Sequence, residues 1–293
     1  MAALELVVGR GQAGRTVKSL LKRELGLSTA LTNRLKRTET GLTVNGTRVF
    51  TTAVLREGDR LAVDLDAAER TAGLAPAPME LDVVYEDEHL LVVNKPAPLD
   101  SIPSSLVRDG PSLAAGLLYY LGNGASVHLV NRLDKGTTGL VAAAKSAYVH
   151  DRLRQRLHTG AFCRTYLAVC LGAPEKPEGR IELPVARAPG SAIRRQTAPD
   201  GKPAITDYRV LAQKENYSLV ELTPLTGRTH QLRVHMAAAG CPLAGDWLYG
   251  TEDPDLIPRP ALHAARLTLV HPVSGKQLRL DAPLPEDMRR FFL

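Results

Sequence analysis

The stretch HLVNRLDKGTTGL, residues 128–140, places an arginine and an aspartate, Arg132 and Asp134, at the end of an apolar run. Leu133 separates them, a Gly/Thr-rich turn from Lys135 to Gly139 follows, and a second apolar run, LVAAA, begins at once. A carboxylate at the mouth of a buried element has two readings. One is a turn aspartate or helix N-cap, the common fate of Asp ahead of Gly and Thr. The other is a nucleophile or general base held beside a guanidinium that favours the ionised form. Spacing alone leaves both open and leans toward the turn.

Working outward, the chain from Met79 alternates strand-like runs (LDVVYED, HLLVVNKP, GLVAAAK, TYLAVCLG, AITDYRVLA, YSLVELTP) with fewer helical ones (SLAAGLLYYLG, SAYVHDRLRQRLHTG). Strands outnumber helices and do not alternate with them regularly, which predicts an α+β domain on a mixed, largely antiparallel sheet with flanking helices. Upstream, TVKSLLKRELGL carries Val17, Leu20, Leu21, Leu25 and Leu27 at roughly helical spacing, with bases between them and Gly26 as a stop. Ser28 is placed to cap a second short helix, TALTNRLKR. The Asn45-Gly46 pair in LTVNGTRV signals a hairpin, and REGDRLAVDL adds a strand after a Gly-Asp turn. The expected division is a small basic α/β unit over 1–66, an Ala/Pro-rich linker over 67–78 and a larger domain over 79–293.

With 293 residues and 44% hydrophobic content, the chain can bury a substantial core. No apolar run approaches a membrane span, and the N-terminus lacks the positively charged start of a secretory signal. Cys163, Cys170 and Cys241 form no metal or disulfide pattern, so reduced thiols and a cytoplasmic location are expected. The formal net charge of +6 is concentrated: the stretch from Arg10 to Arg48 carries nine bases against Glu24 and Glu39, a net +7. A concentrated patch draws polyanions, because neutralising phosphates releases their counterions.

Two further motifs need weighing. GRGQAG, residues 9–14, matches GxGxxG, yet the region about 20 positions on reads as a helix, with Asn33 and Arg34 where a ribose-binding acid is wanted. A glycine-rich turn before a helix is the preferred reading, and a nucleotide-dependent oxidoreductase the weakest. In GRTHQLRVHMAAAGCPLAGDWLYG, residues 227–250, His230 and His235 are five apart and lack the zinc-protease spacing. Arg228, His230, Arg233 and His235 cluster in one short amphipathic stretch, where its arginines can serve a carboxylate or phosphates.

These segments together resemble a known family. NRLDKGTTGL is similar to the active-site signature of RluA-type pseudouridine synthases, in which H-R-L-D is followed by two residues, Thr/Ser, Ser/Thr, Gly and Leu. VVYEDEHLLVVNKP, CRTYLAVCLG (163–172), GKPAITDYRV (201–210), LTGRTHQLRVHMAAAGCPLAGDWLYG (225–250) and LHAARLTLVHPVSG (262–275) fall in the family's order, so the resemblance spans about 79–285. The N-terminal unit more loosely resembles the RNA-binding domain first named for small-subunit ribosomal protein four. The resemblance implies an isomerase that breaks the N-glycosidic bond of uridine in RNA, rotates the uracil and forms a C–C bond, with no redox cofactor, metal or ATP. It assigns Asp134 as nucleophile or base, Tyr166 as the aromatic stacked on the target base, Arg233 as the aspartate's basic partner and Arg132 as the residue entering the RNA stack when the base flips. Arg228, His230 and the helix bases Lys18, Lys22, Arg23, Arg34, Lys36 and Arg37 are expected RNA contacts. Ribosomal RNA is the favoured partner, transfer RNA the second, and a monomer is expected.

Four departures stand out, the mildest being Thr138 in place of the common serine. Asn131 occupies the frequent histidine position, Arg164 replaces the lysine two before the tyrosine, and APLDSIPS follows Lys95-Pro96 where the family often has a Gly and V-H-P. The last bears on substrate identity. The alternative from another class is an inactive RNA-binding or ribosome-assembly protein on the same fold.

Overall fold

In the computed structural model the described residues are 4–65, 74–103, 111–122, 125–157, 159–253 and 255–293. The expected linker therefore lies partly outside them. The N-terminal segment runs β1 (Leu4–Val7), α1 (Val17–Arg23), α2 (Thr29–Leu35), β2 (Leu42–Val44), β3 (Thr47–Arg48) and β4 (Arg60–Val63). The strands form one sheet in the order β1-β4-β2-β3. Local chemistry sets its boundaries. Thr16 and Ser28 cap α1 and α2 by accepting the amides of Ser19 and Leu31. Asn45 and Gly46, at φ 52° and 81°, make the tight hairpin that the Asn-Gly pair predicted. GRGQAG is a turn between β1 and α1, and β1 pairs antiparallel with β4, so no βαβ crossover surrounds it. Val17, Leu20, Leu21, Leu31 and Leu35 pack with Leu42, Leu61 and Val63 into a dry core.

The rest of the chain builds a second, ten-stranded sheet. Its elements are β5 (Asp82–Glu86), β6 (Leu90–Lys95), α3 (Leu113–Leu121), β7 (His128–Leu129), β8 (Thr138–Ala144), α4 (Ala147–Arg156), β9 (Phe162–Leu171) and β10 (Glu178–Glu182). They continue with β11 (Val185–Arg187), β12 (Arg195–Thr197), β13 (Ile205–Lys214), β14 (Tyr217–Pro224), α5 (Gln231–Ala238), β15 (Leu262–Val270), β16 (Gln277–Asp281) and α6 (Glu286–Arg289). The strand order is β10-β13-β14-β9-β15-β8-β6-β5, with β16 on β15, β7 on β8, and β11-β12 a separate ribbon. The β8–β15 pairing is parallel, and its neighbours in the sheet are antiparallel. The fold is α+β on a mixed, largely antiparallel sheet, as the irregular alternation of strands and helices predicted.

The parallel contact depends on a glycine. Gly139 sits at φ 110° with the backbone of Ala264 against its Cα, leaving no room for a side chain. The buried runs LLVV of β6 and LVAAA of β8 fill the cores on both faces of the sheet. Asn131 is buried and bridges Leu140 and Ala142 of β8, donating to the first carbonyl and accepting the second amide at 3.1 and 2.9 Å. A shape-fixing role therefore accounts for an amide at this position. The two sheets meet at α4, where Asp151 accepts the Ser28 amide at 2.9 Å and Gln155 donates to the Gly26 carbonyl at 3.0 Å. Ala147 and Tyr148 of α4 join the N-terminal core.

Candidate active site

Asp134 lies in the turn that leads into β8, where its carbonyl accepts the Thr137 amide at 3.0 Å. The turn reading of the sequence is thus correct for its backbone, while its side chain faces a cleft. That turn is held from three sides. The buried Lys95 ammonium donates to the carbonyls of Pro96, Leu99 and Lys135. Burial pushes this amine down to about 8. Arg259, paired with Asp287 at 2.7 Å, donates to the Gly136 carbonyl. Ser101 closes the third side: its hydroxyl accepts the Leu133 amide at 3.0 Å and donates to the Leu133 carbonyl at 2.7 Å. Both peptide groups of Leu133, the residue between Arg132 and Asp134, are thereby fixed. The APLDSIPS departure consequently braces the aspartate turn through Ser101, a role the sequence did not reveal.

The cleft has a volume of about 990 Å³ and lies over the middle of β9. Arg132, Asp134, Arg164, Tyr166, His230 and Arg233 all line it. Arg164 and Tyr166 are two apart on β9, so the strand's alternation aims both at the same face. Tyr166 is buried, and burial raises its hydroxyl above the ordinary tyrosine range, with Arg164 opposing and Asp134 reinforcing the shift. Arg132 is exposed at the cleft wall.

Arg233 comes from α5. The sequence reading made it the partner of Asp134, and the structure adds a closer one. Its Nε and Nη2 donate to Asp246 at 2.7 and 2.6 Å, while its Nη1 lies 3.9 Å from Asp134 Oδ2. Asp246 is fully buried and also accepts the amides of Leu248 and Tyr249 at 3.1 and 3.2 Å. The guanidinium plane is thus set by Asp246, and its third nitrogen is turned to Asp134. Bonding to Asp246 holds the Arg233 cation above its ordinary range despite the opposing effect of burial, the larger single influence. Tyr249 supports the same cation from beneath, its ring centroid 5.0 Å from the guanidinium carbon. Sequence GDWLYG contains both supports. Nothing local distinguishes Asp246 from a turn aspartate, because its partner is 13 positions away.

His230, expected as an RNA contact, sits deeper than that role suggests. Its side chain is 15% exposed, its Nε2 lies 3.9 Å from Asp134 Oδ2, and its Nδ1 lies 2.8 Å from the Tyr249 hydroxyl. It enters α5 at φ 58°, a left-handed conformation uncommon for a residue with a side chain. Gln231 fixes the start of the helix by accepting from Thr226 and the Arg228 amide and donating to Ile205 and Thr206. Arg228 borders the cleft, with its Nε donating to the Pro203 carbonyl. His235 points away, between Thr206 and the Leu183 carbonyl. The N-terminal bases are not among the residues lining the cleft. Lys18, Lys22, Arg23, Lys36 and Arg37 are exposed, and Arg34 is half-buried. Among the described residues no group of three or more His, Cys, Asp or Glu side chains gathers as a metal-holding cluster.

Comparison with known proteins agrees with this geometry. The family model described as RNA pseudouridylate synthase matches residues 89–238, which carry Asp134, Tyr166, His230 and Arg233. A Bacillus subtilis protein named uncharacterized RNA pseudouridine synthase YjbO is 40% identical over 272 residues, covering 91% of this chain and 95% of its own. The chain belongs to the RNA pseudouridylate synthase family. Members are isomerases, and this synthase is therefore an enzyme of that class. It is also 36% identical over 251 residues to ribosomal large subunit pseudouridine synthase D of Escherichia coli, covering 79% of the synthase and 75% of that protein. The solved structure of human RNA pseudouridylate synthase domain containing 4 shares the fold, with a TM-score of 0.58 at 24% identity over 71% of this chain and 90% of that one.

Proposed function

We propose that the synthase converts particular uridines in structured RNA to pseudouridine, with large-subunit ribosomal RNA as its first substrate class and transfer RNA as its second. The observation that carries this reading is Asp134, partly exposed on the cleft, with Tyr166 buried beside it and Arg233 locked toward it. In this reading Asp134 is the nucleophile or base, Tyr166 carries the target base on its ring face, and Arg233 stabilises the aspartate's charge. A stacked base cannot reach such a cleft, so the nucleotide must be extruded, and the exposed Arg132 fills the gap it leaves. Substrate and product are isomers, so the conversion consumes no atoms or electrons from a cofactor. The name of the Escherichia coli relative supports ribosomal RNA as the target.

The basic N-terminal segment serves as an RNA-binding unit like that of ribosomal protein four, with a boundary near residue 66. Its own sheet and core support this, as does the exposure of Lys18, Lys22, Arg23, Lys36 and Arg37. We place the synthase in the cytoplasm as a monomer. Among the described residues no helix is long and apolar enough to cross a membrane.

The test is to map pseudouridine at single-nucleotide resolution in RNA from cells lacking the protein, with wild type or Asp134→Ala added back. Sites restored by wild type alone support the reading and identify the substrate. RNA that is bound tightly but changed at no site would make this a binding or assembly protein instead.

A further inference from the structure

Asp134 Oδ2 has two neighbours at the same distance, Arg233 Nη1 and His230 Nε2, each at 3.9 Å. Arg233 is aimed by Asp246, and His230 is aimed by Tyr249. The Tyr249 hydroxyl accepts the backbone amide of Arg195 at 2.8 Å and lies 2.8 Å from His230 Nδ1. A phenol has one hydrogen to give, and His230 Nδ1 is the acceptor in reach of it here. Donation into Nδ1 leaves the imidazole's own proton on Nε2, the nitrogen that faces Asp134. A neutral ring that accepts the phenol's hydrogen presents Nε2–H to Asp134, and His230 takes a left-handed backbone where it lines the cleft.

We infer that His230, oriented by Tyr249, is a positioning residue that together with Arg233 holds Oδ2 of Asp134, leaving Oδ1 as the oxygen that meets the target nucleotide. This rests on the reading of Asp134 as the reacting carboxylate. A gap of 3.9 Å exceeds a hydrogen bond, and the inference requires it to close to hydrogen-bond length when the nucleotide is bound. Two donors on one carboxylate oxygen fix the torsion of the side chain, which a single cation leaves free.

The charges around the ring agree with a neutral imidazole. Burial lowers its affinity for a proton, Asp134 opposes this, Arg233 and Arg195 reinforce it, and Asp246 opposes it weakly.

The experiment combines ¹⁵N NMR of histidine side chains with kinetics on a defined RNA. The His230 signal is assigned by its loss in His230→Asn, a substitution that tolerates left-handed backbone. At neutral pH the wild-type ring should show an unprotonated Nδ1 and a protonated Nε2, and Tyr249→Phe should abolish that preference. Tyr249→Phe keeps the ring beneath Arg233 and should lower kcat about tenfold at unchanged KM, the effect of one hydrogen bond of about 1.4 kcal/mol. Its acid limb should also move to higher pH, because the ring then protonates more readily. An Nδ1–H or doubly protonated ring in the wild type, or wild-type turnover in Tyr249→Phe, overturns the inference. Asp134→Asn separates the two levels. If it is inactive while Tyr249→Phe is unaffected, only the role of His230 falls. If it retains activity, the reading of Asp134 falls with it. Should Tyr249→Phe fold poorly, the tautomer in the wild type decides.

Discussion

Replacing Asp246 by asparagine probes the contact on which the aim of Arg233 depends. The carboxylate is fully buried and takes two charge-assisted bonds from Arg233, whose side chain is 6% exposed. Asparagine keeps one oxygen for Arg233 Nη2 and for the amides of Leu248 and Tyr249, all of which now use Oδ1. Its amide group then meets Arg233 Nε donor to donor, and the cation loses its charge partner in a dry site. Removing one member of a buried pair costs about 3–5 kcal/mol. Asp134, 3.9 Å away, can draw the freed guanidinium, which places the loss near the lower end, at about 3 kcal/mol. The same movement ties up the carboxylate proposed to react, so turnover should fall along with stability. Urea unfolding followed by Trp247, the single tryptophan and the next residue in the chain, reads the effect locally. Arg233→Gln alone should cost a similar amount. The double variant, with a neutral Gln–Asn pair, should recover at least about 2 kcal/mol of the summed loss while remaining inactive. An Asp246→Asn protein that unfolds at the wild-type midpoint, or single losses that add without recovery, would refute the reasoning.

Other consequences follow from the same contacts. Ser101→Ala leaves both peptide groups of Leu133 without their partner and should cost about 1–3 kcal/mol, with turnover falling while RNA affinity, measured by filter binding, is retained. Burial pushes His150 and His263 down to about 4, so between the unfolded value near 6.5 and about 4 the unfolded chain binds more protons. Stability is therefore complete above that window and falls as pH drops through it, by up to about 3 kcal/mol for the fully buried His263; denaturation at pH 7 and 4.5 should show a smaller difference in His263→Gln. Lys22→Ala with Arg23→Ala should weaken RNA binding without affecting the unfolding midpoint, and should lower the salt dependence of log affinity by up to about 2. Asp134→Asn should change unfolding stability by less than about 0.5 kcal/mol while abolishing turnover, since among the described residues that carboxylate's ion-pair contacts are no shorter than 3.9 Å.

What the sequence made legible was local or periodic. The Asn45-Gly46 hairpin, the Ser28 cap and the buried runs of β6 and β8 each carry their signal within a few residues. Asp134, Tyr166 and Arg233, which the structure gathers on one cleft, were singled out by resemblance to family motifs, since spacing alone leaned toward a turn aspartate. The supports of the site were not legible. Ser101 acts on Leu133 across 32 positions, Tyr249 on His230 across 19, and Lys95 on Lys135 across 40. Each bond exists only because the sheet brings two distant segments together, and a serine or tyrosine in a loop has no periodicity to betray its partner. His230 was recognised as part of a polar cluster and expected to contact RNA; its left-handed backbone and its place beside Asp134 are properties that its neighbours in sequence do not announce.

The two carboxylates near Arg233 show how the fold divides function from support. Asp246 has no exposure and four donors, so its charge is spent on holding geometry. Asp134 is 36% exposed and has two cations or donors that stop 3.9 Å short of it. A carboxylate bound like Asp246 would be a poor nucleophile or base, because four donors and full burial already stabilise its charge. One left wholly in water would lose its orientation. Under the role proposed for Asp134, the site resolves this by burying the aiming contacts one layer back, with Asp246 behind Arg233 and Tyr249 behind His230, so that both contacts fall on Oδ2 and Oδ1 is left for the nucleotide. Strengthening the direct contact to Asp134 would then be expected to slow the enzyme, even as it stabilised the fold.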